Sequence, residues 1–82
     1  MYDPISDRIA ALGTLTVLKV LADKEDYQEI GNIGRSIMNS KSAFMPTYYS
    51  LSRLADKKDA DAIQKVLDIT LAELKNSLEH NH

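Results

Sequence analysis

The side chains best suited to chemistry in this chain are the cations and aromatics of its middle. Arg35, Lys41, Arg53, Lys57 and Lys58 lie there with only Asp56 opposing them. The stretch Phe44-Met45-Pro46-Thr47-Tyr48-Tyr49 gathers most of the aromatic residues beside a methionine. Tyrosine and methionine offer adaptable apolar contact area, and a cationic surface selects acidic partners. This is the chemistry of contact. Groups that make or break bonds are poorly placed. The two histidines, His80 and His82, occur only at the tail, where a one-residue spacing catches a metal but finds no second pair of ligands. The carboxylates fall at caps or on exposed helix faces, and none sits in an apolar run that would raise its pKa for acid–base work. The serines have no histidine base, and Gly31-Asn32-Ile33-Gly34 lies inside a helical pattern rather than after a strand, so it is no phosphate loop. The reading is a non-enzyme with no cofactor and no metal.

The elements that position these residues are helices. From Ile9 to Ala22 the chain reads IAALGTLTVLKVLA, with Lys19 its only charge. Such a helix is apolar nearly all round, which predicts that other helices surround it as the central member of the domain. Asp3-Pro4 opens it, because aspartate caps free amides and proline in the first turn lacks only an unneeded hydrogen. Asp23 is expected to cap a second helix whose stripe is Tyr27, Ile30, Gly34 and Ile37, with Asp26 in its first turn. Gly31 and Gly34 each cost that helix up to about 1 kcal/mol, which close approach of another helix would offset. Pro46 starts a third helix with Tyr48, Leu51, Leu54 and Ala55 inward. Asp59 caps a fourth, striped by Ile63, Leu67, Leu71, Leu74 and Leu78. The expected spans are about 4–22, 24–39, 46–57 and 60–79, with a frayed tail and no internal repeat.

The totals agree with one all-α domain, a compact bundle of about four helices over residues 1–82. A hydrophobic content of 44%, a charged content of 27% and a net charge of −2 are those of an ordinary globular chain. With no cysteine, disulfides and thiolate metal sites are excluded. The start MYDPISD has no basic segment ahead of an apolar one, and the longest apolar run falls short of the roughly 20 residues a membrane span needs. A cytoplasmic protein is expected.

The stretch from Tyr27 to Lys58 resembles the helix-turn-helix of small repressors, PadR-like regulators in particular. The matching residues are Tyr27, Glu29, Ile30, Thr47, Tyr48, Leu51, Arg53 and Leu54. That likeness implies Thr47, Tyr49, Ser50 and Arg53 toward base edges, and Lys57 and Lys58 on phosphates. The chain departs from the pattern in three ways. Asp59 opens a helix where a β-hairpin wing would follow, the inter-helix connection is long, and the chain is acidic overall.

Read end to end, through MYDPISDRIAALGTL, YYSLSRLADKK and LAELKNSLEHNH, the chain resembles the accessory antiholins of T4-like bacteriophages. The resemblance implies a small cytosolic regulator that binds the cytosolic N-terminal segment of a holin and delays lysis. A groove beside Gly31 and Gly34, rimmed by Met38, Met45 and Tyr49, is the expected seat for an amphipathic segment. Arg35, Arg53, Lys57 and Lys58 are expected to select its acidic residues. The alternative is a wingless helix-turn-helix regulator that binds nucleic acid. A third possibility is a homodimer formed through the broad stripe of the fourth helix.

Overall fold

The computed structural model describes residues 3–37 and 40–80, and every regular element among them is helical. In chain order these are α1 (Pro4–Asp23), α2 (Tyr27–Ile37), α3 (Met45–Asp56) and α4 (Ala60–His80). The all-α architecture of four helices is the expected one. Met38 and Asn39, where the second helix was expected to end, lie outside the described residues, as do Asn81 and His82. His80 is helical, one residue beyond the expected end of α4.

Helix α1 begins as its first residues dictate. Asp3 is extended, and its carboxylate accepts from the Ile5 amide at 3.1 Å and from Ser6 Oγ at 2.8 Å, while Pro4 occupies the first turn. The expected start of α2 needs correction. Asp23 is the last residue of α1, and the α2 cap is Asp26, whose Oδ1 accepts from the Glu29 amide at 3.3 Å. The cause is a tight helix stop. Glu25 takes the left-handed conformation (φ 59°), its amide donates to Ala22 O, and the Asp26 amide donates to Leu21 O. This pair of bonds is a Schellman closure, and it leaves no room for a helix to begin at residue 24.

The same device ends α3. Lys58 has φ 55°, its amide donates to Ala55 O, and the Asp59 amide donates to Leu54 O. Asp59 then caps α4 through the Ala62 amide at 3.3 Å. The two junctions have similar sequences, LADKEDYQEI at 21–30 and LADKKDADAI at 54–63, identical at six of ten positions. Matching residues play matching parts: Ala22 and Ala55 are buried, Leu21 and Leu54 flank the core, and Ile30 and Ile63 are fully enclosed. The chain therefore does contain a short internal repeat, and its function is to turn one helix into the next.

The core is formed by Leu15 and Leu18 of α1, Ile30 of α2, Leu51 of α3, and Ile63 and Leu67 of α4, all without solvent exposure. Fully burying each such side chain contributes about 1.5–3 kcal/mol. Helix α2 packs most closely on α3, and α1 on α4. The second pair is antiparallel, since Lys19 lies beside Asp68 whereas Arg8 lies beside Leu74 and Ser77. Lys19, Asp23, Gln64 and Asp68 link the two helices: Lys19 Nζ bonds Gln64 Oε1 and pairs with Asp68 at 3.0 Å, and Gln64 Nε2 donates to Asp23 at 2.9 Å.

Helix α1 is not enclosed on all sides. Ala11, Leu15, Leu18 and Ala22 are buried, but Ile5, Ile9, Val17 and Val20 are each about half exposed. The molecule measures 37 × 24 × 16 Å. Its thin dimension admits only two layers of helix, given an interaxial spacing of about 8–10 Å. In a two-layer domain every helix keeps an outer face, whatever its composition.

Candidate functional site

The residues expected to bind a partner come from α3 and its junction with α2. Helix α3 begins at Met45 with Pro46 in its first turn, and Tyr48, Leu51 and Ala55 turn inward at helical spacing, which leaves Tyr49, Ser50 and Arg53 outward. Tyr49 is 45% exposed. The Arg53 guanidinium lies over its ring, 5.7 Å from the centroid, and Arg53 Nη1 donates to the Tyr49 hydroxyl at 3.1 Å. Four-residue spacing on a helix places the two side chains one above the other, and the cation–π contact holds both against the surface. Lys57 follows one turn further on and is exposed. Met45 is half-buried at the start of the same helix.

The remaining cations belong to other surroundings. Arg35 Nη1 pairs with Asp56 at 3.2 Å, and Arg35 Nη2 donates to Asn32 at 3.1 Å. Its charge is thus engaged across the α2–α3 junction. Lys58 lines an open cleft of about 440 Å³ with Glu25, Asp26, Tyr27 and Gln28, where acidic neighbours surround it. The structure brings Tyr49 and Arg53 together on α3, places Lys57 at the C-cap of that helix, and pairs Arg35 with Asp56 in its last turn. Met38 lies outside the described residues.

The groove expected beside Gly31 and Gly34 is filled. A Cβ on Gly34 would stand 3.0 Å from Ser52 Cβ and 3.0 Å from Tyr48 O, so α3 occupies that surface, as the glycine's helix cost required. Ser52 is buried there, and its hydroxyl donates to Tyr49 O at 2.8 Å, which satisfies it within the helix. Gly31 is different. The nearest atoms that a Cβ there would meet belong to the guanidinium of Arg35 from its own helix, at 3.1 Å.

A second concavity of about 200 Å³ lies between the start of α1 and the end of α4, lined by Arg8, Phe44, Thr70, Glu73, Leu74 and Ser77. It is below the usual 300–1,000 Å³ range of small-molecule sites. Among the described residues no three His, Cys, Asp or Glu side chains are grouped so as to hold a metal ion, and no helix is long and apolar enough to cross a membrane. Two ionisable groups are shifted from their ordinary values. The hydroxyl of Ser6 and nearby backbone amides hold the Asp3 carboxyl below the usual range. Burial pushes the Tyr48 phenol up, the charge of Asp7 adds to this, and Thr14 opposes it.

No protein-family model, no curated protein and no solved structure matches the chain. The contact surface is therefore argued from the chain's own residues. Sequence reasoning singled out the α3 face but missed the outer face of α1. The signal was available: a chain of 82 residues has too few helices to surround one of them.

Proposed function

We propose that the protein is a non-enzymatic regulator that acts by protein–protein contact through the outer face of α3. Its partner in this reading is the cytosolic N-terminal segment of a phage holin, and its effect is to delay lysis from the cytosolic side. The observation that carries the contact surface is Tyr49 held beneath Arg53. An exposed aromatic already fixed by a guanidinium presents contact area with little further ordering cost, and Tyr and Arg are the residue types that dominate interface energetics. Lys57 extends the cationic line toward an acidic partner. The resemblance of the chain to accessory antiholins supplies the partner's identity.

Regulation in this reading follows from differential affinity. A holin exists in untriggered and triggered states, and a binder delays the change only by the excess of its affinity for the first over the second. The test is calorimetric titration with the soluble N-terminal segment of the holin, repeated on a Tyr49→Ala/Arg53→Ala variant. Saturable heat that the variant loses, with its helicity kept, is the expected result. Equal binding by the variant removes the α3 face from the reading.

The bare outer face of α3 also favours a second reading, a wingless helix-turn-helix regulator that places Tyr49, Ser50 and Arg53 in a DNA groove. Against it stand the pairing of Arg35 with Asp56 and the acidic surroundings of Lys58, which leave few cations for phosphates. Duplex retardation that falls steeply with salt would favour this second reading.

A further inference from the structure

The likeness of the two helix junctions does not stop at Ile30 and Ile63. At the same offset of 33, residues 12–37 and 45–70 are identical at eight of 26 positions, with Thr14 matching Thr47 and Leu18 matching Leu51 outside the junctions. That identity is modest, and burial decides. Leu15 and Tyr48, Leu18 and Leu51, Ala22 and Ala55, Ile30 and Ile63, and Gly34 and Leu67 are pairwise buried. Thr16 and Tyr49, Val17 and Ser50, and Val20 and Arg53 are pairwise exposed. Both stretches run helix, left-handed stop, aspartate cap, helix, with no insertion between them. Helical periodicity gives each helix an inner face, but it does not by itself hold one register across a turn.

We infer that the domain is a duplicated helical hairpin, residues 12–37 and 45–70 being two copies of one unit packed about a pseudo-twofold axis. The packing obeys that axis. Exchanging α1 with α3 and α2 with α4 turns the close α2–α3 contact into the close α1–α4 contact, so one interface occurs twice. A polar link across it also occurs twice. Arg35 pairs with Asp56 at 3.2 Å between α2 and α3. The equivalent positions between α4 and α1 are Asp68 and Asp23, and Lys19 Nζ joins them, 3.0 Å from the first and 3.9 Å from the second. The site is the same, and the cation comes from a different residue. The turns without a counterpart, 4–11 of α1 and 71–80 of α4, meet each other, with Arg8 beside Leu74 and Ser77. On the surface the copies have diverged. Thr16 and Val20 hold in α1 the places of Tyr49 and Arg53, so the aromatic and its cation stand on one copy only. The duplication concerns how the core is built and does not depend on the partner proposed for α3.

Equivalent positions should exchange residues. Thr14 hydrogen-bonds the Tyr48 hydroxyl, and Thr47 is its counterpart for a hydroxyl placed at position 15. Leu15→Tyr and Tyr48→Leu are each expected to lower the urea midpoint, the first by overpacking and the second by lost volume. Combined, they are expected to lose much less than the sum of the single losses, because volume and hydroxyl are conserved about the axis. Losses that simply add, as they do at unrelated sites, overturn the inference. A second exchange lies on the surface, where Ser52 is the counterpart of Lys19. Asp68→Arg alone sets two cations together and is expected to lower the midpoint. In a Lys19→Ser background it is expected to raise it, since the new guanidinium then meets Asp23 as Arg35 meets Asp56. Should the core exchange not fold, this second pair decides, and the same sign for Asp68→Arg in both backgrounds overturns the inference.

Discussion

Gly34 of α2 lies against Ser52 of α3 so closely that an added methyl group would stand 3.0 Å from Ser52 Cβ. The backbone oxygen of Tyr48 is equally near and cannot move by itself. Gly34→Ala therefore sets an overpacking cost of about 1–3 kcal/mol against a helix gain of up to about 1 kcal/mol. We expect a net loss of about 1 kcal/mol in denaturant unfolding, and a much larger one for Gly34→Leu. Gly31→Ala is expected to be nearly neutral, because only the mobile end of Arg35 must move and its surface pair with Asp56 contributes about 0–1 kcal/mol. Equal losses at both glycines would contradict the close contact between α2 and α3.

Gly13 gives the opposite expectation. It lies in the interior of α1 with open space around it, so Gly13→Ala should raise stability by up to about 1 kcal/mol. The check is the midpoint of thermal unfolding.

The two helix junctions can be tested together. Glu25 and Lys58 hold left-handed backbone at φ 59° and 55°, a conformation that costs a non-glycine residue roughly 1–2 kcal/mol. Glu25→Gly and Lys58→Gly should each raise the unfolding midpoint. Asp26→Ala and Asp59→Ala should each lower stability by about 0.5–2 kcal/mol through loss of a cap. Parallel effects at both sites are expected because the repeated LADK segments place the same bonds at each.

Two groups make stability depend on pH at opposite ends of the scale. The Asp3 carboxyl is held below its ordinary value, so its contribution is complete at neutral pH and is lost as pH falls through the folded value. Asp3→Asn should lessen the acid loss of α1 helicity. The Tyr48 phenol is pushed above its ordinary value, so its contribution is present below the unfolded pKa and is lost as pH rises through the folded one. Tyr48→Phe should lessen alkaline unfolding and remove a late tyrosinate absorbance step.

Much of this fold is legible in the residues. Asp3-Pro4 and Asp59 mark helix starts, the α4 stripe is buried at Ile63, Leu67 and Leu74, and Gly34 does mark a helix contact. The start of α2 is not legible locally, because three acidic residues follow Ala22 and the choice of cap among them depends on the left-handed turn at Glu25. Reading 21–26 and 54–59 as copies of one junction would have resolved it, since the last aspartate caps in both. The enclosure of α1 was overstated for a different reason. Periodicity reports which residues are apolar, while the number of layers decides how many of them are covered. Of the candidate site, spacing alone joined Tyr49 to Arg53, but the pairing of Arg35 with Asp56 spans two helices and has no local signal. The fourth-helix stripe, expected to serve a homodimer, is largely consumed by the chain's own core.

We propose that the outer face of α3 binds an amphipathic segment of a holin through its acidic residues. Calorimetric titration of the protein with the soluble N-terminal segment of that holin tests it most directly. We predict a saturable one-site isotherm that vanishes with a scrambled segment and with Tyr49→Ala/Arg53→Ala. Surface changes of this kind should move stability by no more than about 0.5 kcal/mol. Absence of heat across a wide range of concentration and temperature, with the fold intact, would remove holin binding as the function of this face.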